Sequence, residues 1–231
     1  MSLIAETIRD KPDGLARRFA GIASQASAES IEARGRFTIA IPGGSVGEAF
    51  LPVLAAASLD WERVHVFWTD ERAGPADGPD SNFHLARSVG LLGSLGPHQV
   101  HRMPADQPNL DRAARQYQDD LIRLVDTPPV LDLVLLGWGL DGHVASLFPD
   151  HRLLQERTRF VAAVDDSPKP PPGRLTLTLP AITQARLVVA AGFGPEKAAV
   201  LESARDPRDR KPLALVLRHS RHAVVMTDGR E

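Results

Sequence analysis

The sequence predicts an α/β fold built on an open, largely parallel sheet flanked by helices. Three observations carry that reading. Short β-rich runs alternate with helical patterns along the chain, the order that places strands side by side in one sheet with helices on its faces. Glycine and polar residues gather just after several of these runs. No repeat and no linker interrupts the 231 residues, 43% of them hydrophobic, which suffices for one sizeable core and predicts a single domain over 1–231.

In chain order, Leu15, Phe19, Ile22 and Ala26 recur at steps of three and four, which predicts an amphipathic helix over 15–31. FTIAI at 37–41 reads as a strand that stops at Pro42-Gly43-Gly44-Ser45, and VGEAFLPVLAAA continues as a helix. The run from Val64 to Trp68 predicts a second strand, followed by the polar segment Thr69-Asp70-Glu71-Arg72, a Gly/Pro/Asp-rich loop to Ser81 and a helix from Asn82. Over 109–125, Leu110, Ala113, Ala114, Tyr117, Leu121, Leu124 and Val125 share one helical face, and Thr127-Pro128-Pro129 ends the helix. The apolar run over 131–136 is a further strand that empties into a Gly-rich turn. Residues 159–164 read as a strand, 167–173 with four prolines as an extended loop, and RLTLTL at 174–179 as a half-buried strand alternating Leu inward with Arg or Thr outward. A strand over 186–191, a helix opening at Gly194-Pro195-Glu196-Lys197, a helix over 213–218 and a strand over 223–226 complete the pattern.

Bulk properties exclude several function classes. The chain has 27 Lys and Arg against 29 Asp and Glu, a net charge of -2. Without a block of like charge there is no footprint for nucleic acid or for a membrane surface. The absence of cysteine removes disulfides, thiolate nucleophiles and Cys-ligated zinc. The start, MSLIAETIRDKPDG, lacks a basic-then-apolar signal pattern, and no apolar stretch approaches the about 18 residues that span a bilayer. A cytoplasmic protein is expected.

Three polar segments fall at the carboxyl ends of predicted strands: 43–45, 70–72 and 137–143. Ligands of open parallel sheets bind there, because the loops turn and the following helices offer free backbone N–H groups. The chemistry is complementary. Gly43, Gly44 and Ser45 can wrap an anion, Arg72 can grip a phosphate bidentately, and Asp141 with His143 pairs a carboxylate with an imidazole suited to proton transfer. Arg174 and Lys197, at the starts of a strand and a helix, can add to a phosphate grip. Each has an ordinary alternative: a tight turn for Gly43-Gly44, a surface ion pair for Arg72, a solvated end for Arg174 and Lys197. The other histidines show no ligand spacing and read as structural or surface residues.

Two motifs point elsewhere. Gly137-Trp138-Gly139-Leu140-Asp141-Gly142 satisfies GxGxxG after a strand, with Asp165 and Asp166 further on, so a dinucleotide site is a competing reading. Pro149 cuts short any helix after Gly142, and the Asp141 carboxylate would repel a pyrophosphate. Residues 43–48 lack the GK[ST] of a nucleotide-phosphate loop, and no GxSxG elbow or HExxH zinc motif is present.

GWGLDGHVASLFP resembles the GxGxDGHxASLFP signature of the 6-phosphogluconolactonases. IPGGS, TDER with Pro75 and Ser81-Asn82, PKPPPGRLTLT and GPEKA recur in that family's order from about Thr38 to Lys197. The resemblance implies an open, Rossmann-like sheet of the kind shared by glucosamine-6-phosphate deaminase and ribose-5-phosphate isomerase. It implies hydrolysis of 6-phospho-D-glucono-1,5-lactone in the oxidative pentose phosphate pathway, with His143 activating water and Asp141 its neighbour in the site. For that reaction Asp141, or Asp70 from the neighbouring loop, is the carboxylate expected to orient the imidazole ring. Gly43, Gly44, Ser45 and Arg72 would meet the substrate, and Arg174 and Lys197 its phosphate. No cofactor and no metal are implied. The implied partner is the sugar-phosphate lactone, with weak association with glucose-6-phosphate dehydrogenase as a further expectation. The chain departs from the family where GGSTP or GGRTP becomes Gly43-Gly44-Ser45-Val46-Gly47, losing a hydroxyl and a proline, and where DERxVP becomes DERAGP. The alternatives are a glucosamine-6-phosphate isomerase or deaminase, for which the residues after His143 supply no further carboxylate, and a non-catalytic sugar-phosphate sensor.

Overall fold

A computed structural model describes residues 6–125 and 128–228; residues 1–5, 126–127 (with the Thr127 of the predicted helix stop) and 229–231 lie outside the description. The strands in chain order are β1 (Glu6–Arg9), β2 (Phe37–Ile41), β3 (Val64–Trp68), β4 (Asp70–Arg72), β5 (Val100–His101), β6 (Leu133–Gly137), β7 (Val161–Val164), β8 (Arg174–Leu177), β9 (Leu187–Gly192) and β10 (Ala223–Thr227). The α-helices are α1 (Pro12–Arg34), α2 (Gly44–Ala55), α3 (Asn82–Ser88), α4 (Leu110–Val125), α5 (Leu179–Thr183), α6 (Pro195–Ala204) and α7 (Pro212–His219).

Seven strands form one sheet in the order β1-β10-β9-β6-β2-β3-β5, and every neighbouring pair is parallel. The largely parallel α/β class expected from the sequence is therefore the observed one. From β2 the chain moves outward through β3 to β5; from β6 it moves the other way to β9 and β10. The reversal makes the β2/β6 pair the topological switch point, where an open sheet leaves a crevice beyond its strand ends. Central strands such as β2 and β10 are buried along their whole length, because helices cover both faces.

Packing and polar bonds fix this arrangement. Phe19 of α1 stacks on Phe50 of α2 with ring centroids 5.2 Å apart. The hydroxyl of Tyr117 on α4 accepts the Trp68 backbone N–H of β3 at 2.8 Å. At the amino end of β6, Asp132 accepts the Thr38 N–H and hydroxyl, both at 2.8 Å, and pairs with Arg34 at 2.8 Å. That staple ties β2 to β6 at the end away from the crevice.

A smaller antiparallel sheet has the order β4-β8-β7. Here the structure corrects the sequence reading. Residues 70–72 are a strand, not a loop. The chain leaves the large sheet at Thr69, whose N–H donates to Ile41 O at 2.9 Å and whose carbonyl accepts the Leu177 N–H at 2.7 Å. The strand over 174–179 is also shorter: β8 ends at Leu177, and Leu179 opens α5, where Pro180 sits in the first turn. Nor is β8 half-buried. All four of its residues are buried, because the face bearing Arg174 and Thr176 is covered by the loop after β6 and the proline-rich loop. The edge strand β1 and the two-residue β5 had no clear run in the sequence.

Candidate active site

The Gly-rich segment after β6 folds into tight turns. Trp138 bridges Val144, Val144 bridges Leu147, and no helix follows. The dinucleotide alternative loses its main support, since no helix N-terminus stands behind the glycines to receive a pyrophosphate. Asp165 and Asp166 follow the end of β7, exposed and paired with Arg152 and His151. Gly139 N–H donates to His143 O and Gly142 N–H to Gly139 O, both at 2.9 Å. Two glycines are required here. Gly142 has φ +85°, and a Cβ on Gly139 would lie 2.0 Å from His143 Cε1, so the imidazole rests where any side chain would stand.

His143 Nδ1 lies 2.5 Å from Asp141 Oδ1. A carboxylate only accepts, so Nδ1 carries the proton and Nε2 is left as the basic nitrogen. Burial pushes the His143 pKa below its ordinary value, while the hydrogen bond and charge of Asp141 pull the other way. For Asp141, burial would raise the pKa, yet the hydrogen bond and charge of His143 leave it lowered. Lys169 Nζ stands 3.2 Å from the same Nδ1 and 3.6 Å from Asp141 Oδ2. Since Nδ1 has one proton and gives it to Asp141, the ammonium pairs with the carboxylate and meets the ring as a neighbouring positive charge. The Phe148 ring lies against the imidazole, centroids 5.0 Å apart.

Asp70 does not bond to the imidazole. Its Oδ2 accepts the Ser146 hydroxyl at 2.8 Å, and Ser146 N–H donates to Thr176 Oγ1 at 3.1 Å. Both bonds come from Ser146 and anchor the His143 loop to β4 and β8 just after Ala145, a non-glycine residue at φ +48°. The Asp70 charge still acts on His143, favouring its protonated form.

Antiparallel pairing sets Arg72 directly opposite Arg174. Like charges in register oppose pairing unless an anion joins them. Arg72 Nη1 donates to Asp80 O at 2.6 Å, and its Nε is buried without a partner. Arg174 is buried, which lowers its pKa, and its Nε and Nη2 donate to the carbonyls of Pro171, Lys169 and Pro170 at 3.0–3.3 Å. Across the cleft, Gly43 caps α2 without a side-chain bond, so the first N–H groups of that helix are open to a ligand. A Cβ on Gly43 would fall 1.8 Å from Asn82 Oδ1. Lys197, in the first turn of α6, donates to Ser45 Oγ at 3.2 Å, and burial lowers its pKa.

These groups surround one cleft of about 340 Å³ at the switch point. Gly43, Gly44, Ser45, Asp70, Arg72, His143, Arg174 and Lys197 line it, with Asp141 behind the imidazole. Lys169, Asn82 and Trp138 also line it, and the sequence reading gave them no role. Asn82 Nδ2 donates to Asp70 O at 2.8 Å, and Trp138 Nε1 to Lys197 O at 3.1 Å. For Lys169 the signal was its place in the proline-rich PKPPPGRLTLT motif. His65 and His101 pair at 3.1 Å on β3 and β5, away from the cleft. Among the described residues, no group of three His, Cys, Asp or Glu side chains could hold a metal, and no helix is long and apolar enough to cross a membrane.

Comparison with known proteins gives a consistent picture. The family profile described as glucosamine-6-phosphate isomerases/6-phosphogluconolactonase matches residues 10–226. The chain is 42% identical over 186 residues to the 6-phosphogluconolactonase of Mycobacterium tuberculosis, covering 76% of this chain and 75% of that one. It is 40% identical over 210 residues to the human 6-phosphogluconolactonase, covering 86% and 81%. Among solved structures, the 6-phosphogluconolactonase from Trypanosoma cruzi superposes with a TM-score of 0.88 at 26% identity, covering 98% of this chain and 96% of that chain.

Proposed function

The chain belongs to the family of glucosamine-6-phosphate isomerases and 6-phosphogluconolactonases, and we propose that its cleft hydrolyses 6-phospho-D-glucono-1,5-lactone to 6-phospho-D-gluconate. The observation that carries this reading is an imidazole fixed by a carboxylate on one wall of a cleft whose other walls hold Arg72, Arg174 and Lys197.

A lactone is an activated ester, so no covalent nucleophile is needed. The phosphate is held by the facing guanidiniums of Arg72 and Arg174, with Lys197 and the open start of α2 completing the positive side. The unpaired Arg72 Nε is a donor awaiting an acceptor. With the phosphate fixed, C1 is brought to His143. Nε2 takes a proton from water as the water oxygen bonds to C1, and the open backbone N–H groups of the Gly43-Gly44-Ser45 loop stabilise the oxyanion. The C1–ring-oxygen bond then breaks, and the imidazolium returns its proton to that oxygen. Asp141 holds the ring in the required tautomer throughout, and Asp70 holds the loop that carries both.

Purified protein with freshly generated lactone tests this, following acid release and subtracting spontaneous hydrolysis. Acceleration is expected. No acceleration, with ammonia released instead from glucosamine 6-phosphate, would overturn the reading in favour of deaminase chemistry. A cytoplasmic location and a weak association with glucose-6-phosphate dehydrogenase belong to the same proposal; co-sedimentation of the two purified proteins tests the latter.

A further inference from the structure

The loop before β8 enters the site as more than a wall. It carries Lys169, whose Nζ sits 3.2 Å from His143 Nδ1 and 3.6 Å from Asp141 Oδ2. A lysine 46% exposed would ordinarily wave in solvent. Its backbone, however, is clamped. Arg174 donates to the carbonyls of Lys169, Pro170 and Pro171, and Ser167 both donates to the Lys169 carbonyl, at 2.8 Å, and accepts the Lys169 N–H, at 3.2 Å. A guanidinium buried to 6% exposure directs its Nε and Nη2 donors to one short loop, and that loop presents one cation to the dyad.

We propose that Arg174 and Lys169 are positioning residues for the hydrolysis proposed above: Arg174 fixes the loop, and Lys169 sets a positive charge against the Asp141–His143 pair. The charge acts at both steps. Before attack it opposes protonation of the ring, so that Nε2 is free when water arrives. After attack, with the water oxygen bonded to C1 and the proton on Nε2, it favours release of that proton to the ring oxygen as the C1–O bond breaks. Asp141 alone would hold the imidazolium too well. The charged groups facing His143 are Asp141 from its own loop, Asp70 from β4 and Lys169, with Arg72, Arg174 and Lys197 around the rest of the cleft. Lys169 is the cation among them at hydrogen-bond distance from the ring.

The test compares the wild type with Lys169→Met, Lys169→Arg, Arg174→Met and Lys169→Met/Arg174→Met. The readouts are the pH profile of kcat, KM, and the titration of the His143 imidazole by NMR. Lys169→Met is expected to move the acidic limb of kcat and the His143 titration together to higher pH, with kcat down roughly threefold or more at pH 6 and changed less at pH 8. Lys169→Arg, which keeps the charge, should retain the wild-type limb. Arg174→Met should raise KM through the phosphate and also shift the limb, whereas adding it to Lys169→Met should shift the limb no further. Superimposable limbs and titrations for Lys169→Met and wild type would overturn the proposal, as would a Lys169→Arg variant that behaves like Lys169→Met. A further shift in the double variant would overturn the part assigned to Arg174. If Arg174→Met fails to fold, the two exposed-site Lys169 variants still decide the role of the charge. Failure of the wild type to turn over the lactone would count against the functional reading alone, because the NMR titration reports the Lys169–His143 coupling without turnover.

Discussion

The chemistry proposed for this chain reduces to the environment of one imidazole. Burial depresses the His143 pKa below the ordinary histidine value, Asp141 opposes that, and the net direction is down. A depressed value means the neutral base persists to lower pH. The acidic limb of kcat/KM should therefore fall below the pH at which a free histidine titrates, and a limb above it would contradict the assignment. By linkage, the same group contributes stability above its unfolded pKa and loses it as pH falls through the folded value. Asp141→Asn removes the charge that favours protonation, so the limb should move to still lower pH while kcat falls through loss of the ring's anchor. The pair was legible in the sequence because Asp141 and His143 lie two residues apart in one loop, where local geometry alone can join them. Lys169 was not, because it lies 26 positions from His143 and arrives through tertiary bonds made by Arg174.

Elements differ in how much of their geometry is local. The strand-loop-helix unit of β2 and α2 follows from FTIAI, the glycine pair and the apolar helix after it, and α4 follows from its single apolar face. The short β4 could not be read, since Asp70, Glu71 and Arg72 have no strand periodicity of their own; pairing with β8 imposes the strand and sets Arg72 against Arg174. In the loop after β6, the absence of a side chain at Gly139 is what lets the imidazole lie down. Gly139→Ala should abolish most activity with little loss of stability, as separate thermal melts and turnover assays would reveal. Retention of full activity would show that the ring has another resting place. Tyr117→Phe tests the α4–β3 contact: it leaves the buried Trp68 N–H without its acceptor and should cost about 1–3 kcal/mol in denaturant unfolding.

For the whole molecule, the parallel sheet places the proposed site and the Asp132 bonds that tie β2 to β6 at opposite ends. The open fold class, and with it the strand end where ligands bind, could be inferred from alternating strands and helices. Strand order could not, since each strand's neighbours are chosen by packing among distant segments. The observed order puts the glycine loop after β2 beside the His143 loop after β6, and the smaller sheet supplies the cationic wall. Phe19→Ala, in the α1–α2 stack, should therefore lower unfolding free energy by about 3–5 kcal/mol while leaving kcat unchanged below the melting transition. His143 is the residue on which the proposed hydrolysis depends most directly. Steady-state turnover of 6-phospho-D-glucono-1,5-lactone by the wild type beside His143→Ala, with circular dichroism on both, should show kcat reduced at least about 10²-fold in a folded variant. Near-wild-type kcat in His143→Ala would contradict the mechanism.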